Sequence, residues 1–123
     1  MKTSRRQSIG HLGESMAAVF LEKKGYTILE RNYRTPHGEI DLIVSQDEFI
    51  AFVEVKTRTS SSLGPPEISI TPRKIEHMRN AAEYFIQQHP EMVNDWRIDA
   101  ITIQLKTDQS APLVDHFENV GTR

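Results

Sequence analysis

The chain has 123 residues, no cysteine, 37% hydrophobic and 26% charged residues, and a formal charge of −2. That length supports one domain with a real core, and the lack of cysteine excludes a disulfide scaffold and thiolate-based zinc or redox chemistry. No apolar run reaches membrane-spanning length and the arginine-rich start is not a signal-peptide core, so the expectation is a cytoplasmic protein without membrane contact. The near-neutral balance lacks the basic signature usual in nucleic-acid binders, although net charge conceals where the charges lie.

Residues 1–9 are polar and basic and read as a flexible arm ahead of a single domain over residues 10–119. A helix is expected from about Ser8 or Gly10 to Lys24, closed by Gly25 as a left-handed cap. Met16, Ala17, Phe20 and Leu21 recur at helical spacing, and Glu14 sits at the border of that apolar face. An acid in that place either reaches the surface or an arginine, or points into a metal site. Tyr26 to Tyr33 reads as a strand whose faces are both mixed, as on a sheet edge. Its Arg31 and Asn32, with Arg34 just beyond, are candidate phosphate contacts; a solvated edge is the alternative. Thr35-Pro36-His37-Gly38 is a turn by composition, and no role is assigned to His37.

Gly38 to Val44 and Phe49 to Val55 are apolar, β-branched runs parted by the polar break Ser45-Gln46-Asp47-Glu48. Each carries acids where a buried strand holds apolar residues. Alternation puts Glu54 and Lys56 on one face of the second run, and Glu39, Asp41 and Ile43 on one face of the first. Hairpin pairing then brings Asp41 level with Glu54. Two carboxylates and an ammonium are costly to bury alone, and a divalent cation between the acids removes most of that cost. Hard oxygen donors suit Mg²⁺ or Mn²⁺. This is the arrangement of a metal-dependent phosphodiesterase site.

Arg58 shares the Lys56 face. Thr59 to Ile70 is rich in serine, glycine and proline and reads as a flexible loop. Thr71 and Pro72 form a helix start, and Ile75, Met78, Ala82 and Phe85 carry an amphipathic helix to about Gln88. Arg73 and Lys74 crowd its first turn, where the helix dipole disfavours cations; a facing anion such as phosphate explains them, and a solvated helix end is the alternative. His89-Pro90-Glu91 breaks the helix. Trp96 to Leu105 is a strand in which Asp99 is read as a structural partner for a buried arginine or lysine. Leu113 to Asn119 adds a short edge strand.

The residues Asp41 and Glu54-Val55-Lys56 resemble the PD-(D/E)xK nucleases, in which an aspartate ends one strand and the next carries an acid, a spacer and a lysine. Ile40 stands where the pattern's proline would be. The strings GYTILERNYR (25–34), GEIDLIV (38–44) and FVEVKTR (52–58) resemble the YraN-like family of small, endonuclease-like bacterial proteins, related to archaeal Holliday-junction resolvases. The likeness runs from about Gly10 to the strand around Asp99. It implies a restriction-endonuclease-like three-layer α/β core, a mixed sheet of four to five strands flanked by helices in the order αβββαβ(β). It further implies that Glu14 is a third acid of the site and that Lys74 matches a basic position of the pattern.

The expectation is a nuclease that hydrolyses phosphodiester bonds with Mg²⁺ or Mn²⁺, acting on structured or branched DNA in repair or recombination, with DNA preferred over RNA. Asp41, Glu54, the Val55 carbonyl and Glu14, directly or through water, hold the ion. Lys56 positions the attacking water or stabilises developing charge. Arg31, Arg34, Arg58, Arg73 and Lys74 contact nucleic acid. A homodimer and a DNA-repair partner belong to the same expectation. The rival readings are a non-catalytic nucleic-acid-binding accessory module and a protein-interaction domain.

Overall fold

The computed structural model describes residues 5–60, 70–92 and 95–121. Their order is α1 (Arg5–Lys23), β1 (Thr27–Thr35), β2 (Gly38–Gln46), β3 (Phe49–Ser60), α2 (Pro72–Gln88), β4 (Asp95–Lys106) and β5 (Leu113–Phe117). The strands make one sheet in the order β1-β2-β3-β4-β5, antiparallel except for the β3–β4 pair. A parallel pair needs a long crossover, and α2 supplies it. α1 packs Ala17, Ala18 and Leu21 on Leu42, Val44, Ala51, Val53, Ile101 and Ile103. α2 packs Ala81, Ala82 and Phe85 on Ile40, Ile43, Ile50 and Phe52. The two helices therefore cover opposite faces, a three-layer α/β sandwich consistent with the restriction-endonuclease-like arrangement.

α1 begins at Arg5, ahead of the expected Ser8 or Gly10. Arginine and glutamine are good helix formers, whereas the apolar pattern that marks the helix in the sequence starts only at Ile9. Residues 1–4 of the expected arm lie outside the described residues. The other end of α1 closes as expected. Gly25 has φ of 96°, its N–H donates to the Glu22 carbonyl, and the Tyr26 N–H donates to the Leu21 carbonyl, both at 3.0 Å. These are the two bonds of a Schellman cap. Tyr26, expected in the first strand, is instead the buried residue that follows the cap and joins Leu21 in the core.

Two-residue turns link the first three strands, Pro36-His37 between Thr35 and Gly38 and Asp47-Glu48 between Gln46 and Phe49. β3 runs on to Ser60, and the remainder of the expected flexible loop, 61–69, lies outside the described residues. α2 starts as the sequence implies: Thr71 is its N-cap, with its hydroxyl accepting from the Lys74 N–H at 3.1 Å. On β4, opposite Val53, Asp99 is fully buried and has the structural role expected of it. It accepts from Arg97 Nε, His116 Nε2 and the Asn119 N–H, each at 2.9 Å.

A candidate active site at the fork of two strands

The β2–β3 ladder runs from Gln46 opposite Phe49 to Leu42 opposite Val53. Past that pair β2 stays with β1 as far as Gly38 opposite Thr35, while β3 stays with β4 as far as Ser60 opposite Lys106. The sheet therefore opens into a fork, and Asp41 and Glu54 are the first residues on its two sides. An unbroken ladder would give the Val55 N–H a backbone partner on β2. Here Asp41 Oδ2 accepts it instead, at 2.8 Å. The N–H and C=O of one residue in an extended strand point the same way, so the Val55 carbonyl also opens into the fork.

The expected alternation of Glu39, Asp41 and Ile43 on one face does not hold through this region. Ile40 packs under α2 together with Ile43, three positions away. Asn32, which falls opposite Asp41 between the pairs Arg31–Leu42 and Tyr33–Ile40, has φ of 52° and drops out of the ladder. A left-handed residue of this kind re-aims the strand locally, and strict period-two reasoning does not see it.

Glu14 comes from α1. It is 9% exposed, and its Oε1 is buried without a hydrogen-bond partner. Its placement depends on Gly13. A Cβ on Gly13 would lie 1.7 Å from Thr57 Oγ1, so the bare backbone of α1 rests on the β3 side chain that follows Lys56. The sequence signal was there, a glycine inside a helix, but its meaning required knowing the partner strand.

Burial pushes the Asp41 carboxyl up to about 7. The charge of Glu54 adds to that rise and the Val55 N–H opposes it, while Glu14 raises it further and Lys74 lowers it. Glu54 is also raised by burial, against the pull of Lys74 and Lys56 and with a further push from Glu14. The three carboxylates thus feel one another, and two ammonium groups compensate them in part. Lys74 Nζ lies 3.4 Å from Glu54 Oε2, reaching in from the first turn of α2. Sequence reasoning gave that lysine a phosphate and did not foresee its carboxylate partner.

The five basic residues expected to contact nucleic acid are dispersed. Lys74 is at the acids. Arg73 and Arg58 are exposed, one beside Lys74 on α2 and the other two residues past Lys56 on β3. Arg31 Nη2 donates to Ser15 Oγ at 3.0 Å and so lies against α1 next to Glu14. Arg34 pairs with Glu39 at 3.4 Å toward the tip of the fork's β1–β2 arm, two residues beyond Asp41.

Among the described residues, no three acidic or histidine side chains already stand together at metal-ligand spacing. The donors nevertheless fit a hard dication. Two buried carboxyls have raised proton affinity, a third carries an orphaned oxygen, and a positive charge would relieve all three.

The model of the uncharacterised protein family UPF0102 matches residues 13–103. The chain belongs to that family. A UPF0102 protein of Syntrophomonas wolfei is 41% identical, with 92% of this chain and 96% of the relative covered. One of Beutenbergia cavernae is 37% identical over 94% of this chain and 98% of its own. A third, from Clostridium perfringens, is 44% identical over 85% of both. The UPF0102 match opens at Gly13, the glycine on which Thr57 rests, and takes in both sides of the fork and the start of α2.

Proposed function

We propose that this UPF0102 protein is a metal-dependent nuclease of the PD-(D/E)xK type, hydrolysing phosphodiester bonds in structured or branched DNA. The observation that supports the reading is the fork itself, where Asp41 and Glu54 face each other under burial with Glu14 and two lysines beside them. Asp41, Glu54, the Val55 carbonyl and Glu14 would hold Mg²⁺ or Mn²⁺. When bound, the ion supplies Lewis acidity at the phosphate and lowers the proton affinity of water. Asp41 is held in orientation by the Val55 N–H. Lys56 orients the attacking water and offsets the charge that develops on the phosphoryl oxygens. Lys74 leaves Glu54 for a phosphate oxygen once that carboxylate is otherwise compensated, and Arg58 and Arg73 follow the backbone on either side.

With Mg²⁺ or Mn²⁺ the purified protein is expected to cut at least one of branched, flapped or single-stranded DNA. Asp41→Ala and Lys56→Ala should each lower the rate roughly 100-fold or more. Cleavage that survives both substitutions removes the reading. One observation favours a second one. The Glu54–Lys74 ion pair partly satisfies the acid without a metal, as in a module that binds nucleic acid without cutting it. Metal-independent binding without turnover would select that alternative.

A further inference from the structure

A cavity of about 340 Å³ lies between α1 and β3, lined by Ile9, Gly10, Glu14, Val55, Thr57 and Thr59. It shares Glu14 and Val55 with the fork and runs from there along the odd-numbered side chains of β3. Its wall is bare for a reason visible in the sequence. α1 carries glycine at two positions on this side, Gly10 in the lining and Gly13 against Thr57. At Gly13 the missing side chain lets Thr57 touch the helix backbone, whereas a Cβ at Gly10 would meet no atom of the described residues within 4 Å. Contact explains the first glycine. The second keeps space open.

The chemistry of the lining is specific. Among the described residues of the lining, Glu14 is the charged one, and the others named are apolar or hydroxyl-bearing. Ile9 and Val55 offer apolar surface, and Thr57 and Thr59 offer hydroxyls that donate and accept. Those groups suit a base and its sugar. The volume is at the small end of the range for ligand pockets, about 300–1,000 Å³, which is room for one nucleoside and not for a stacked pair of strands. The buried, unpartnered Oε1 of Glu14 marks where the cavity meets the acids.

We propose that this cavity is a nucleoside-binding pocket that receives one unpaired nucleotide adjoining the scissile phosphate. The inference rests on the nuclease reading and narrows it: the substrate has an unpaired nucleotide at the cut, as at a flap, fork or junction, because a paired base cannot leave its stack for the pocket without an energetic cost. Specificity for that shape is then set by α1 and β3, not by the metal.

The test uses the full chain with Mn²⁺ and two DNA probes of one sequence. One carries 4-thiothymidine in an unpaired strand at a branch, the other carries it fully paired. Photocrosslinks from the unpaired probe should map to Ile9, Gly10, Thr57 or Thr59, with the paired probe giving none. Gly10→Leu should remove the crosslink and weaken binding of the branched probe roughly tenfold or more, while Mn²⁺ affinity stays as in wild type. Gly10→Ala, which improves helix propensity, should show a smaller loss in the same direction and covers the case that the leucine variant fails to fold. The proposal is overturned if the glycine variants bind the branched probe like wild type, if crosslinks map elsewhere, or if the paired probe crosslinks equally. Crosslinks at the pocket without Mn²⁺-dependent cleavage of any DNA would uphold the pocket and end the nuclease reading. Cleavage with wild-type behaviour of both glycine variants would do the reverse.

Discussion

At Asp41 one carboxylate closes a backbone hydrogen bond and faces two other acids, so its ionisation is coupled to folding. Its ordinary value is 3.8 and its folded value about 7, so between those pH values the folded chain keeps a proton that the unfolded chain has lost. Stability of the metal-free protein therefore falls as pH rises across that window, by up to about 4 kcal/mol at about 1.4 kcal/mol per unit. Asp41→Asn should flatten this dependence, because an amide oxygen can still accept from Val55 and carries no charge. Urea midpoints in chelator at pH 5 and pH 8 measure it, and a wild type as stable at pH 8 as at pH 5 would show that Asp41 is not buried among acids. Lys74 is the second residue with a distinct signature. Removing its charge in Lys74→Gln leaves Glu54 without its nearest cation, so Mn²⁺ affinity should rise several-fold, by calorimetric titration, while DNA affinity falls. A lysine that only touched phosphate would change the second quantity and leave the first alone.

The contact between α1 and β3 inverts an ordinary rule about elements. Gly→Ala inside a helix usually gains about 1 kcal/mol. At Gly13 the new methyl would lie 1.7 Å from Thr57 Oγ1 and 2.8 Å from Thr57 Cβ, so Gly13→Ala should instead destabilise by about 1–3 kcal/mol, the usual cost of overpacking. Thr57→Ala should recover part of that loss in a double-mutant cycle followed by thermal melting. Elements were also where the sequence spoke most clearly. Gly25 and Thr71-Pro72 mark helix ends because few residues do their job. The polar break at 45–48 marks the hairpin, but only Asp47-Glu48 form its turn, while Ser45 and Gln46 stay in the ladder and set the register that brings Asp41 level with Glu54. What the sequence concealed depends on contacts between elements. Asn32 looks like any strand asparagine until its partner strand bends around it. Lys74 lies eighteen residues from Lys56 along the chain, and only the crossover of α2 brings it to Glu54. Tyr26 has a strand-former's side chain but is needed as the hydrophobic end of a helix cap.

Over the whole molecule, two buried acidic centres have opposite energetics. Asp99 is held below the ordinary carboxylate range by His116, Arg97 and the Asn119 N–H, which outweigh its burial. Those partners are all protein groups, so Asp99→Ala should cost about 3–5 kcal/mol, and added Mg²⁺ should not restore it. The fork acids lean the other way, and the folded chain gains from any cation that joins them. Mn²⁺ should therefore raise the melting temperature of wild type, and Glu54→Ala should abolish the rise. A melting temperature indifferent to metal would leave the carboxylates as a purely structural cluster.

The fork also implies an order of assembly. Asp41 and Glu54 are joined by a tight hairpin, whose closure is fast and local, whereas Lys74 arrives only when α2 docks across the sheet. Like charges are thus pressed together early and relieved late. Refolding followed in chelator should be slowed by alkaline conditions, and added dications should hasten it by standing in for the lysine that has yet to arrive.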